Sequence, residues 1–121
     1  MTLTDWTVGF AAEAAHDLAL IENHLIQAYR AFGESPSEAA QRAEVRIDAI
    51  IATAERLGAA PCRGEARDDL LPGLRHLALD SAVYWFIPDP DARHIRVLAV
   101  FFGAQDHQRH MLVRLLQKGA R

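Results

Sequence analysis

Two stretches of this 121-residue chain, Ala82-Val83-Tyr84-Trp85-Phe86-Ile87 and Ile95-Arg96-Val97-Leu98-Ala99-Val100-Phe101-Phe102, are apolar at almost every position. A strand with one wet face alternates apolar and polar residues, so unbroken runs of this length predict central strands buried on both faces. Their boundaries agree. Asp80-Ser81 precedes the first run, Pro88-Asp89-Pro90-Asp91 separates the two, and Gly103 ends the second. Leu74 to Leu79 lies on the other side of Asp80-Ser81, which predicts a hairpin around a tight turn.

The first half of the chain has a different period. Trp6, Val8 and Phe10 alternate with Thr7 and Gly9, as in a short strand with one buried face. From Glu13 onward Ala14, Leu18, Ile21, Leu25, Ala28, Tyr29 and Phe32 recur at three and four residues, the apolar stripe of a helix that Gly33 stops. Ser35-Pro36-Ser37-Glu38 then supplies an N-cap serine, a proline in the first turn and a glutamate placed to close a capping box. The second stripe is Ala40, Ala43, Ile47, Ile50, Ala54 and Leu57, with Gly58 as its stop. Ala59 to Gly73 shows no sustained period and reads as loop. Beyond Gly103, Asp106 is placed to cap a last helix that carries Met111, Leu112, Leu115 and Leu116. The expected order is strand, helix, helix, strand, strand, strand, helix. It implies an α+β fold in which a helical hairpin packs on a small, mainly antiparallel sheet, with residues 1–121 forming one domain.

Charge bears on function. The net charge is −3, which argues against holding nucleic acid by bulk attraction. From Met1 to Ala92 there are 7 basic and 15 acidic residues, a balance of −8; from Arg93 to Arg121 there are 6 basic and 1 acidic, a balance of +5. A local anionic or acidic contact is therefore expected in the terminal segment. The single Cys62 excludes an internal disulfide and suits a reducing cytoplasm. Neither a basic, apolar leader nor a membrane-length apolar run is apparent in the sequence.

His107, His110, Arg114 and Arg121 stand at offsets of 0, 3, 7 and 14 along the last helix, with Lys118 close to the same line. Imidazoles titrate near neutrality and guanidinium groups grip phosphate at two points, so this face has the chemistry of a ribonuclease or phosphate site. The structural alternative turns Leu112, Leu115 and Leu116 inward and leaves a solvated charged face. Arg75 and Arg96 sit on predicted strands among apolar residues, where each head must leave the sheet or find a partner. A basic patch shared with Arg109 and Arg114 is one solution, and salt bridges are the other. His16, His24, His76 and His94 are scattered and carry no signal of their own. His107 and His110 lack a third ligand at metal spacing, so neither a metal nor a cofactor is expected.

Several segments carry a resemblance. Phe10-Ala11-Ala12-Glu13-Ala14-Ala15-His16-Asp17-Leu18 is similar to an "F-x-x-E-A-x-x-D-L" opening. Pro72-Gly73-Leu74-Arg75 is similar to a "G-L-R" strand entry, Ala82 to Ile87 to a "Y-x-I-x-Y" strand, and Ile95-Arg96-Val97-Leu98 to an "I-x-I-x-R-V-L" strand. In this order they resemble the RelE/ParE superfamily of type II toxin-antitoxin toxins. The resemblance implies a helical hairpin on a small antiparallel sheet, a cytoplasmic growth-inhibiting toxin of the kind used in plasmid stabilization, and a cognate antitoxin through which it oligomerises.

ParE-like members bind DNA gyrase; RelE-like members are ribosome-dependent mRNA endoribonucleases. This strand Ala82 to Phe86 lacks the arginine of RelE-like ribonucleases, and Gln105 and Met111 fall near their late basic and tyrosine residues. Gly103 and Asp106 keep the later spacing of the ParE ending "R-V-L-H-G-x-x-D", although Ala99-Val100-Phe101-Phe102 interrupt it. The pattern is closer to ParE. Gyrase binding through the basic segment around Arg96, His107, Arg109, His110 and Arg114 is the expectation. The alternatives are mRNA cleavage with His107 or His110 as acid/base and Arg75, Arg96 and Arg109 on the scissile phosphate, or a non-toxic domain that retains antitoxin binding.

Overall fold

A computed structural model describes residues 6–103 and 106–119, without the side chains of 118 and 119. Gln105, Arg121 and the side chain of Lys118 lie outside the described residues. Strand β1 (Thr7–Phe10) leads into α1 (Ala12–Ala31) and α2 (Pro36–Ala54), followed by a 3-10 turn over Glu55–Ala59. Then come β2 (Glu65–Ala66), β3 (Arg75–Leu79), β4 (Ala82–Asp89), β5 (His94–Phe102) and α3 (His107–Gly119). The sheet order is β1-β5-β4-β3-β2. Every pairing is antiparallel except β1 with β5, which is parallel and joins the first strand to the last. The two-residue strand β2 falls in the stretch expected to be loop.

The α1–α2 hairpin covers one face of the sheet. Leu18, Ile21 and Leu25 of α1 and Ala43, Ile47 and Ile50 of α2 pack against Tyr84, Phe86, Ile95 and Val97. In α2 the buried alanine is Ala39, one residue before the expected Ala40, and Phe32 lies past the end of α1, 87% exposed. Tyr84 fixes the hairpin to β4: its hydroxyl donates to the Ile50 carbonyl oxygen at 2.8 Å, and burial pushes its pKa up to about 12. The start of α2 is made as expected. The Glu38 N–H donates to Ser35 Oγ at 3.1 Å, and the Ser35 N–H donates to Glu38 Oε1 at 3.0 Å. Ser35→Ala removes one of these bonds and is expected to cost about 1 kcal/mol, read as a fall of a few degrees in thermal unfolding.

The second face is smaller. Leu74, Trp85, Ala99 and Phe101 form its floor and Met111 of α3 its plug, all but Phe101 nearly inaccessible. A bulge in β5 divides the two faces. The register jumps from Trp85 opposite Ala99 to Phe86 opposite Val97, so Leu98 and Ala99 both turn to the α3 side while Val97 and Val100 face the hairpin.

Candidate functional site at the terminal helix

The sequence-predicted residues meet at α3, in an arrangement other than a basic face turned to water. Asp106 caps the helix, its carboxylate accepting from the Arg109 N–H at 3.2 Å. Met111 enters the floor, and the residues flanking it on the same side are His107 and Arg114. Two of the three described side chains on the predicted line therefore face the protein. Of the apolar residues expected inside, Leu115 is half-buried, whereas Leu112 and Leu116 stand outside at 42% and 63% exposure, joined there by Val113 at 45%.

Arg114 is engaged at the edge of β5. Strand β1 pairs with β5 only as far as Val97, so beyond it the backbone needs other partners. Asp17, on the buried side of α1, accepts from the Val100 N–H at 3.0 Å. The Arg114 guanidinium grips the same carboxylate at two points, Nη1 to Oδ2 at 3.0 Å and Nη2 to Oδ1 at 2.8 Å. Arg114 Nη1 also donates to the Leu98 carbonyl oxygen at the bulge, 3.3 Å away. The Asp17 carboxylate raises the Arg114 pKa, so the guanidinium keeps its charge. One ion pair thus ties the first helix to the last around a sheet edge.

His107 is engaged at the other end. The Trp85 indole Nε1–H donates to His107 Nδ1 at 3.1 Å, and His76 of β3 packs beside both, with ring centroids 4.5 Å from Trp85 and 5.1 Å from His107. Burial, and then the neighbouring His76, lowers the His107 pKa. Around the cluster, Glu65 Oε2 lies 3.5 Å from His76 Nε2. Arg67 holds Asp69 with two bonds of 3.0 Å and donates to Gln108 Oε1 at 2.9 Å. The sequence reading passed over His76, although a signal was present. The Asp80-Ser81 turn pairs Leu79 with Ala82, and counting outward along the hairpin sets His76 opposite Trp85.

The remaining candidates separate. Arg75 and Arg96 lie on opposite faces, since Arg75 stands opposite Phe86 on the hairpin side and Arg96 opposite Ile87 on the α3 side. Arg75 donates to the carbonyl oxygens of Arg63 and Gly64 at 3.0 and 3.2 Å, which holds the long loop to the sheet. Arg96 is exposed and borders a groove of about 690 Å³ floored by Leu70, Leu71, Ile87, Leu98 and Leu115. His110 stacks on Phe101 at 5.8 Å and shares with Arg109, Val113 and Gln117 a hollow of about 550 Å³. Chemically, among the described residues α3 presents to solvent an apolar strip beside the Arg109 guanidinium and the His110 imidazole.

Comparison with solved structures finds this fold elsewhere. A chain of the chromosomal ParDE TA system from P. aeruginosa superposes with a TM-score of 0.61 at 18% identity, over 84% of this chain and 99% of that one. A chain of the toxin-antitoxin complex RelBE2 from Mycobacterium tuberculosis gives 0.57 at 18% identity, over 86% and 98%. No family model matches the sequence, and no curated protein is significantly similar to it. The likeness is one of fold, and it spans almost the full length of each matched chain. Among the described residues, no helix is long and apolar enough to cross a membrane.

Proposed function

We propose that the chain is the toxin of a type II toxin-antitoxin pair, neutralised by a cognate antitoxin in the cytoplasm, and that it acts by gripping a protein. DNA gyrase is the target suggested by the ParE-like sequence pattern. The fold likeness to chains from two toxin-antitoxin systems supports the general reading. The observation that carries the choice of a protein target is the outward strip Leu112, Val113 and Leu116, exposed beside Arg109. Clustered apolar side chains with an arginine among them are the composition of a protein contact, whereas a polyanion site needs several unpaired cations. Of the four expected binding arginines, Arg75 and Arg114 are engaged internally, which leaves Arg96 and Arg109 for phosphate.

One observation favours a second reading. His110 and Arg109 border the same open hollow, so an endoribonuclease would use His110 as acid/base and Arg109 on the scissile phosphate. In that reading His107 is poorly placed, because its Nδ1 already accepts from Trp85.

The two readings separate on expression without an antitoxin. Growth arrest, blocked supercoiling by purified gyrase and intact mRNA are expected. The substitution pair Leu112→Asp and Leu116→Asp is expected to weaken gyrase inhibition about tenfold or more while leaving the folded protein intact. Codon-phased mRNA cuts with normal supercoiling would establish the ribonuclease instead, and growth unaffected by folded protein would leave a non-toxic antitoxin-binding domain.

A further inference from the structure

The rings under the first turn of α3 constrain which nitrogen of His107 carries a proton. An indole Nε1–H can only donate, so His107 Nδ1 accepts from Trp85 as an unprotonated nitrogen. His76 packs over that ring and keeps water from it: its side chain is 12% exposed, and its buried Nε2 makes no hydrogen bond among the described residues, with Glu65 Oε2 3.5 Å away. We propose that His107, held between Trp85 and His76, is a proton-operated latch, which holds the first turns of α3 on the sheet while its Nδ1 accepts from the indole and releases them when that nitrogen takes up a proton.

Every charged group around the pair enters the balance. Strand β2 contributes Glu65, 3.5 Å from His76; the segment after it contributes Arg67, already paired with Asp69; and Asp106 sits at the helix cap. Glu65 and Asp106 favour a charged His107, while burial and His76 oppose it and prevail. A protonated Nδ1 would point a proton at the indole N–H, and Trp85 is fully buried, so the indole would lose its acceptor without gaining water. Undocking solves both problems at once, because the freed imidazole returns to water.

The sign follows from proton binding. Released, His107 titrates near its ordinary value of about 6.5; docked, it titrates lower. The docked helix is fully favoured above about pH 6.5 and loses ground as the pH falls through the interval below. Met111 and the Arg114–Asp17 pair remain as anchors, so release is confined to the beginning of the helix and uncovers the Trp85 side of the second core.

Amide hydrogen exchange on the intact chain tests this, with rates corrected for the pH dependence of the chemistry itself. Between about pH 7.5 and 5.5 the amides of residues 110–113 are expected to lose protection severalfold, while the α1–α2 hairpin holds. His107→Asn places a non-titrating carbonyl near the position of Nδ1, and His107→Gln provides a second non-titrating variant whose amide falls near Nε2. In either, protection of the same amides should change by less than about twofold across this range. Equal protection of the wild-type helix at both pH values would overturn the latch. So would an undiminished response in both variants, or parallel loosening of the hairpin.

Discussion

Asp17→Ala will lower the melting temperature by about 10 °C or more, an effect out of proportion to one side chain on the first helix. The carboxylate is 7% exposed and accepts three hydrogen bonds, two from Arg114 and one from the Val100 N–H. Its removal leaves a partly buried guanidinium and a backbone donor at a sheet edge without their acceptor. Truncating one member of a buried pair costs about 3–5 kcal/mol, and the 22% exposure of Arg114 places this case near the lower end. Asp17→Asn keeps one acceptor for Val100 and is expected to fall between wild type and alanine. In a double-mutant cycle with Arg114→Ala, the two losses should be strongly non-additive, because either change breaks the same pair. Additive losses, or a loss below about 1 kcal/mol for Asp17→Ala, would mean that the edge is held by packing alone.

Trp85→Ala is expected to cost about 3–5 kcal/mol in denaturant unfolding and to free α3 from the sheet. The second core is small, with Trp85 its largest member, and the same side chain supplies the indole donor for His107. Removing it takes away floor and attachment together. Trp85→Phe keeps a ring beside His76 but deletes the donor, so a loss of about 1–2 kcal/mol is expected beyond any packing change. Helix α3 should then exchange its amides faster than the α1–α2 hairpin in both variants. Unchanged protection of α3 in Trp85→Ala would show that Met111 and Arg114 hold the helix without the tryptophan.

The contrast between the two cores explains what could be read from the residues. The hairpin was legible because its signals are local: the apolar stripe of α1, the Ser35–Glu38 box and Gly33 all act within a few residues of one another. The unbroken run Ala82 to Ile87 likewise announced a strand covered on both sides, and Trp85 and Tyr84 do face opposite cores. Helix α3 was harder. Its apolar residues span an arc wider than one contact, and the side that docks is chosen by an indole N–H and a carboxylate contributed by β4 and α1. Neither partner is visible from the helix itself. The fate of Arg75 was hidden for a related reason, since it is bound by backbone carbonyls of a loop with no sequence signature. Strand β2 is two residues long and too short to show alternation.

The parallel pairing of β1 with β5 also sets an order of events during synthesis. Thr7 lies beside His94, 87 residues later, so the first strand has no partner in the sheet until β5 has been made. At about 5–20 residues per second, translation of that interval takes on the order of 5–15 s. The hairpin can close early from its own contacts, but its inner stripe has no sheet to cover until β4 and β5 arrive. Through that interval the helices keep an open apolar side, which a chaperone can cover before the sheet does.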